Sequence, residues 1–341
     1  MKLSLLLATA AALTIGAGSA QAQAPAGYKV VKEVSLGGPE RWDYVVYDAP
    51  SHRVYVAHGD RISVVDGKDG KLIGEVTGVA NTHGIGVAGG KVYTDDGEMA
   101  QAIAFDPKTL KVLKRTPAKD DADAITVDPK SGHVFIAAGD AKTVTVIDSK
   151  TDAVLANIDA GGKVEYLVPG DDGKVYVNGE EKKEIVRIDV ATNKVDAQWP
   201  IPGCTSPHGL AIDTAGHRLF STCVNKVMTV VDTTSGAVVA TLPIGQGTDA
   251  AAFDPVRKRA FSSNGEGTIT VVDAKAMSVI ETVPTRVTGR TMGIDPATGR
   301  LFVAAAEIDP KAPVPAGPNG RPGRPRPIPG SLKLMFLDPV R

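Results

Sequence analysis

Residues 61–76 read RISVVDGKDGKLIGEV, and the fold follows from this stretch. Two runs rich in Val and Ile flank a polar knot of Asp, Gly and Lys. Branched apolar residues favour extended backbone, and the small polar residues between them favour a tight turn, so the stretch reads as two strands in a hairpin. The phrase returns as IAFDPKTLKVLKR at 103–115, TVTVIDSKTDAVLANI at 143–158, IVRIDVATNKVDAQW at 185–199, MTVVDTTSGAVVATL at 228–242 and TITVVDAKAMSVIETV at 268–283. A second phrase recurs in register with it, a short strand, a turn, and then Val-Tyr, Val-Phe, Leu-Phe or Ala-Phe. Its copies are YVVYDAPSHRVYVAHG at 44–59, AITVDPKSGHVFIAAG at 124–139, GLAIDTAGHRLFSTC at 209–223, AAAFDPVRKRAFSSNG at 250–265 and MGIDPATGRLFVAAA at 292–306. Together the phrases supply four strands per repeat of about 40 residues, the period of a β-propeller blade.

The two ends explain each other. The last repeat stops at SLKLMFLDPVR, its third strand, whereas YKVVKEVSLGG near the start reads as a fourth strand with no preceding three. Pairing them closes the ring and hides an edge that would otherwise invite aggregation. The expectation is an all-β, seven-bladed β-propeller with four-stranded blades, a single domain over 23–341. One insertion breaks the rhythm. Residues 307–331, rich in Pro, Gly and Arg, cannot form a ladder and read as an irregular surface loop or a docking arm for a protein partner.

The phrases VYVAHGDRISVVDGKDGKLIGEV and VFIAAGDAKTVTVIDSKTDAVLANI resemble the YVTN β-propeller repeat family, and within it the YncE-like exported proteins. The resemblance covers essentially all of 23–341. It implies the fold and no particular activity.

Before the first repeat, Lys2, the apolar run Leu3 to Ile15 and Ala20-Gln21-Ala22 have the order of a cleaved secretory signal peptide, 1–22. The run is shorter than the ~20 residues a spanning helix needs. The mature chain is therefore expected in the periplasm, with secretion left open and no stable membrane insertion. A formal charge of −1 offers no footprint for nucleic acid, which needs clustered Lys and Arg. In an oxidising compartment Cys204 and Cys223, placed at the same end of two paired strands, read as a disulfide. The rival is a thiolate metal site with His208.

Counting back five residues from the end of each blade's first strand lands on Asp43, His83, Asp123, Glu165, His208, Asp249 and Arg290, at intervals of 40 to 43. All seven are ionisable, in a chain only 23% Asp, Glu, Lys and Arg. In the family the chain resembles, the first strand of a blade is innermost, which implies that the seven encircle one mouth of the central channel. Three uses follow. His83, Glu165 and His208 could ligate a divalent metal, Zn, Mn, Fe or Ca, with Asp43, Asp123 and Asp249 in support and Trp42 and Tyr166 as walls for a small-molecule ligand. As the alternative, His83, His208 and Arg290 could serve a metal-dependent, lactonase-like hydrolase or lyase, the histidines as acid–base groups and Arg290 as an anion clamp. Or the ring is structural, Arg290 bridging Asp249 and Asp43, and the protein is an interaction scaffold. Whether the protein is an enzyme stays open. His58 falls on the ring's face as a weaker candidate or a solvated turn residue. His52, His133 and His217 fall on the opposite face.

Overall fold

The computed structural model describes residues 27–39, 41–313 and 326–340. The signal-peptide reading of 1–22 and the middle of the 307–331 insertion lie outside the described residues. Among the described residues there are 28 strands and no helix. They form seven four-stranded antiparallel sheets.

Blade one shows the plan. Its strands β2 (Val45–Asp48), β3 (Arg53–Ala57), β4 (Gly59–Asp66) and β5 (Leu72–Thr82) pair in sequence order from the channel outward. The next five blades repeat it, starting from β6 (Ile85–Ala88), β10 (Ala122–Val127), β14 (Val164–Pro169), β18 (Pro207–Asp213) and β22 (Thr248–Asp254). In the seventh, β26 (Thr291–Ile294), β27 (Leu301–Ala305) and β28 (Lys333–Pro339) are joined by β1 (Tyr28–Ser35), which pairs antiparallel to β28 from Tyr28↔Pro339 to Ser35↔Lys333.

The recurring Asp has a local job. Asp66 Oδ1 accepts the amides of Lys68 and Asp69 at 2.8 and 3.0 Å, and Asp148 Oδ1 those of Lys150 and Thr151 at 2.7 and 3.0 Å. Asp106, Asp232 and Asp273 do the same. Each carboxylate imitates a backbone carbonyl and seeds the turn between the third and fourth strands. The aromatic of the second phrase has a global job. Tyr55, Tyr93, Phe135, Tyr176, Phe220, Phe261 and Phe302 are buried, one per blade, and wedge neighbouring sheets together. Third strands such as Thr143–Asp148 are buried on both faces, whereas the outermost Lys194–Pro200 alternates exposed and half-buried. That is what face-to-face packing of radial sheets demands.

On the face away from the ring, basic side chains tie blade to blade. Lys91 reaches Asp152 at 2.6 Å, Lys258 reaches Asp213 at 3.2 Å, and Arg300 reaches the Gly67 carbonyl at 2.9 Å. Arg53 does so with the Pro107 carbonyl and Lys130 with that of Asp171.

Candidate functional site

The seven ring residues sit at the start of the innermost strands, and backbone irregularity aims several of them. The pairing of β10, β14, β18 and β22 with their neighbours slips between Ala122 and Ile125, Val164 and Leu167, Pro207 and Leu210, and Thr248 and Ala250. Asp123, Glu165, His208 and Asp249 lie within these bulges. An extra residue in one strand leaves its backbone groups unpaired and re-aims its side chain. The freed groups bond across blades. The Ala250 amide donates to the Arg290 carbonyl at 3.1 Å, and Asn178 Nδ2 donates to the His208 carbonyl at 2.6 Å.

The residues that follow the ring close the channel beneath it. Tyr44 of blade one and Tyr166 of blade four meet edge to face, ring centroids 4.8 Å apart. Tyr44 belongs to a cluster otherwise built by blades three and four, including Ala124 and Val164, so its side chain crosses the axis. Burial first, and then the charges of Asp123, Glu165 and Asp249, push the Tyr44 hydroxyl well above its ordinary pKa. The mouth is therefore a cup with an aromatic floor.

Three interactions divide the rim. Arg290 Nη1 lies 2.8 Å from Asp249 Oδ2 and Nη2 3.7 Å from Asp43 Oδ2, while Nη2 also donates to the Trp42 carbonyl at 2.9 Å. Its guanidinium carbon lies 6.0 Å from the centroid of the Trp42 ring. Trp42 is buried in the core cluster of blades seven and one. In blade two, next to the blade of Asp43, His83 Nδ1 is 2.8 Å from Asp95 Oδ2, and Asp95 Oδ1 accepts the amides of His83 and Gly84, both at 2.8 Å. Burial is the largest single influence and opposes charge on this imidazole, but the bond to Asp95 and the charges of Asp95, Asp123 and Asp43 together outweigh it and carry the pKa up to about 9. Burial pushes the Asp95 carboxyl up in turn, against the three donors that hold its charge.

The third interaction brings ligand atoms together. His208 Nδ1 is 2.8 Å from Asp249 Oδ1 and 3.5 Å from Glu165 Oε1. Glu165, His208 and Asp249 each offer one ligand atom within 4.8 Å of the others. Burial and then the charge of Asp123 push the Glu165 carboxyl well up, and burial and then Asp43 do the same to Asp123. Asp123 Oδ1 is buried with no hydrogen-bond partner among the described residues. Crowded, desolvated carboxylates of this kind are relieved by a cation.

The cluster differs in one member from the expected ligand set of His83, Glu165 and His208: Asp249 stands with Glu165 and His208, while His83 Nδ1 faces Asp95. His58 is not at the mouth. It is fully buried, its Nδ1 2.8 Å from Ser63 Oγ and its Nε2 2.6 Å from the Pro39 carbonyl. The thiolate reading falls too, since Cys204 and Cys223 form a disulfide with Cα atoms 5.5 Å apart. Of the opposite-face histidines, His217 is exposed, and His52 Nδ1 lies 2.9 Å from the Tyr47 hydroxyl.

Sequence reading missed Asp95, Glu180 and Ser206. The signal for Asp95 was present, an acid in VYTDDG where other repeats carry VYVAHG and VFIAAG. Ser206 Oγ donates to Glu180 Oε1 at 2.5 Å and lies 3.4 Å from His208 Nε2. Ser206, His208 and Asp249 thus stand in the order of nucleophile, base and orienting acid. The hydroxyl's one proton goes to Glu180, however, so Ser206 has none to give Nε2.

No family model matches the chain. Two curated relatives do, each described as uncharacterized protein YncE, from Salmonella typhi and Salmonella typhimurium strain LT2. Each is 25% identical over 187 residues, 52% of this chain and 52% of the relative. The chain spans about half the length of the curated relatives it matches. Among solved structures, Kuenenia stuttgartiensis hydrazine synthase superposes with a TM-score of 0.69 at 14% identity, covering 76% of this chain and 91% of that one. Likeness at that identity concerns the fold alone.

Proposed function

We propose that the channel mouth of this YncE-like propeller holds a divalent cation between Glu165, His208 and Asp249 and presents it to a small ligand entering from that face. The convergence of those three ligand atoms carries the reading. One imidazole with two carboxylates suits Zn, Mn or Fe better than Ca, which prefers an all-oxygen shell. The surroundings support it. A metal-bound histidine usually donates its second ring N–H to an outer partner that fixes its orientation, and Ser206 with Glu180 stands in that place beside Nε2. The disulfide and the likeness to YncE are consistent with an exported protein, and the periplasm is where such a site would work.

Turnover is the second reading. A cavity of about 490 Å³ is lined among others by Lys142, Lys163, Glu180 and Ser206, the last two lying beside His208 Nε2. A bound cation would polarise a carbonyl or acidify a water at its edge. Lactones and sugar-acid esters are the substrates to offer the metal-loaded protein.

Metal titration of chelator-treated protein by calorimetry, with elemental analysis, tests the primary reading. Wild type should take one Zn or Mn per chain. His208→Ala and Glu165→Gln should lose it with the fold intact, and His83→Ala should keep it. Wild type without stoichiometric uptake, or undiminished uptake in His208→Ala, overturns the site.

A further inference from the structure

We propose that the face opposite the ionisable ring carries a second ligand site, a cleft for a small carboxylate with an aromatic body. A second cavity lies away from the mouth. It encloses about 810 Å³ where blades six, seven and one meet, a volume within the range of roughly 300–1,000 Å³ usual for small-molecule sites.

Its polar lining is one-sided, because the acceptors are already used. Both oxygens of Asp338 take the fork of Arg300, at 2.6 and 2.8 Å. Arg300 Nη1 holds the Gly67 and Lys68 carbonyls at 2.9 and 3.3 Å. Asp295 accepts Thr298 Oγ1 at 2.7 Å and the Ala297 amide at 3.0 Å. Donors are left over. Arg257 spends Nη1 on Asp254 at 2.9 Å, and its Nε and Nη2 make no hydrogen bond among the described residues. Lys68 Nζ has no partner among them either. Gly299 gives Arg257 its place, since a Cβ there would lie 2.5 Å from Nη1.

A lining whose carboxylates already hold donors, while Arg257 and Lys68 have N–H groups to give, favours an anion. A guanidinium edge matches a carboxylate in particular. The apolar share of the cleft comes from Tyr47, Ala297, Pro339 and Val340. The Tyr47 ring stacks on Phe302 with centroids 5.3 Å apart and planes 22° from parallel, which extends an aromatic surface to the ligand.

Benzoate is the probe, with benzyl alcohol as its neutral control, followed by calorimetry or protein NMR shifts. Wild type should bind benzoate and prefer it to the alcohol by about tenfold or more. Arg257→Ala with Lys68→Ala should remove that preference in a protein that still unfolds cooperatively, at a lower temperature because the buried Asp254 loses its partner. His208→Ala should leave benzoate binding untouched, which separates this site from the mouth. Three results would overturn the proposal: no benzoate binding, equal affinity for the alcohol, or undiminished binding in the double variant.

Discussion

The His83–Asp95 pair makes stability fall with rising pH, and Asp95→Asn should abolish that slope. The imidazole's pKa moves from an ordinary 6.5 to about 9 on folding. At about 1.4 kcal/mol per pH unit, the shift corresponds to about 3 kcal/mol. The His83 side chain is 15% exposed and that of Asp95 fully buried, so solvent screening removes little of it. A group whose folded pKa is raised holds the extra proton in the native state. Its stabilisation is therefore complete below pH 6.5, declines as pH climbs toward 9, and is gone above that. Urea denaturation at steps from pH 6 to pH 9.5 should show wild type losing about 3 kcal/mol across the window. Asp95→Asn should start lower and run flat, because a neutral amide no longer favours imidazolium. The His83 ring protons should titrate in the same window by NMR. Titration near 6.5, or a wild-type profile as flat as that of the variant, would refute the assignment of an ion pair at this rim.

Two further perturbations probe the frame that positions the site. The Cys204–Cys223 bridge spans 19 positions, and closing a loop of that size is worth about 3 kcal/mol. Cys204→Ser with Cys223→Ser should lower urea stability by about that amount, and unfolded, unreduced wild type should show no free thiol. Gly209 sits where a Cβ would come within 2.4 Å of the Ala250 backbone. Gly209→Ala should therefore cost about 1–3 kcal/mol and weaken metal uptake by pushing His208 from Asp249, and a neutral outcome in both assays would mean that the inner strands are not so tightly spaced.

Much of the architecture was legible because its determinants are local and repeated. The Asp at the end of a third strand, in every blade but the seventh, caps a turn with its own neighbours, as Asp66 does with Lys68 and Asp69, so the signal lies within four residues. The buried aromatic after each hairpin turn, Tyr55 or Phe135, recurs at one fixed place per blade. The disulfide was legible for the same reason, both cysteines falling at one end of two strands already known to pair. His58 was misread because its partners, Ser63 and the Pro39 carbonyl, include a loop that carries no repeat signal.

The ring was legible as a set but not as a site, and the difference is geometric. Counting along each repeat finds every residue at the same height in its blade. It does not say which side chains meet, because that depends on bulge, rotamer and what occupies the axis. Tyr44 and Tyr166 meet beneath the ring, so ring side chains can share an ion only at the level of the rim. His83 and His208 are separated by Asp123 and Glu165, and each histidine turns to a nearer acid, Asp95 in its own blade or Asp249 in the next. A shared ion must then draw its ligands from consecutive blades. Blades four, five and six supply Glu165, His208 and Asp249. Arg290 stands beyond them, neutralising Asp249 Oδ2 and leaving Oδ1 turned to His208. Arg290 was read either as an anion clamp or as a bridge between Asp249 and Asp43; the bridge is what the rim shows, and which oxygen it leaves to His208 was not visible before the two oxygens of Asp249 could be told apart.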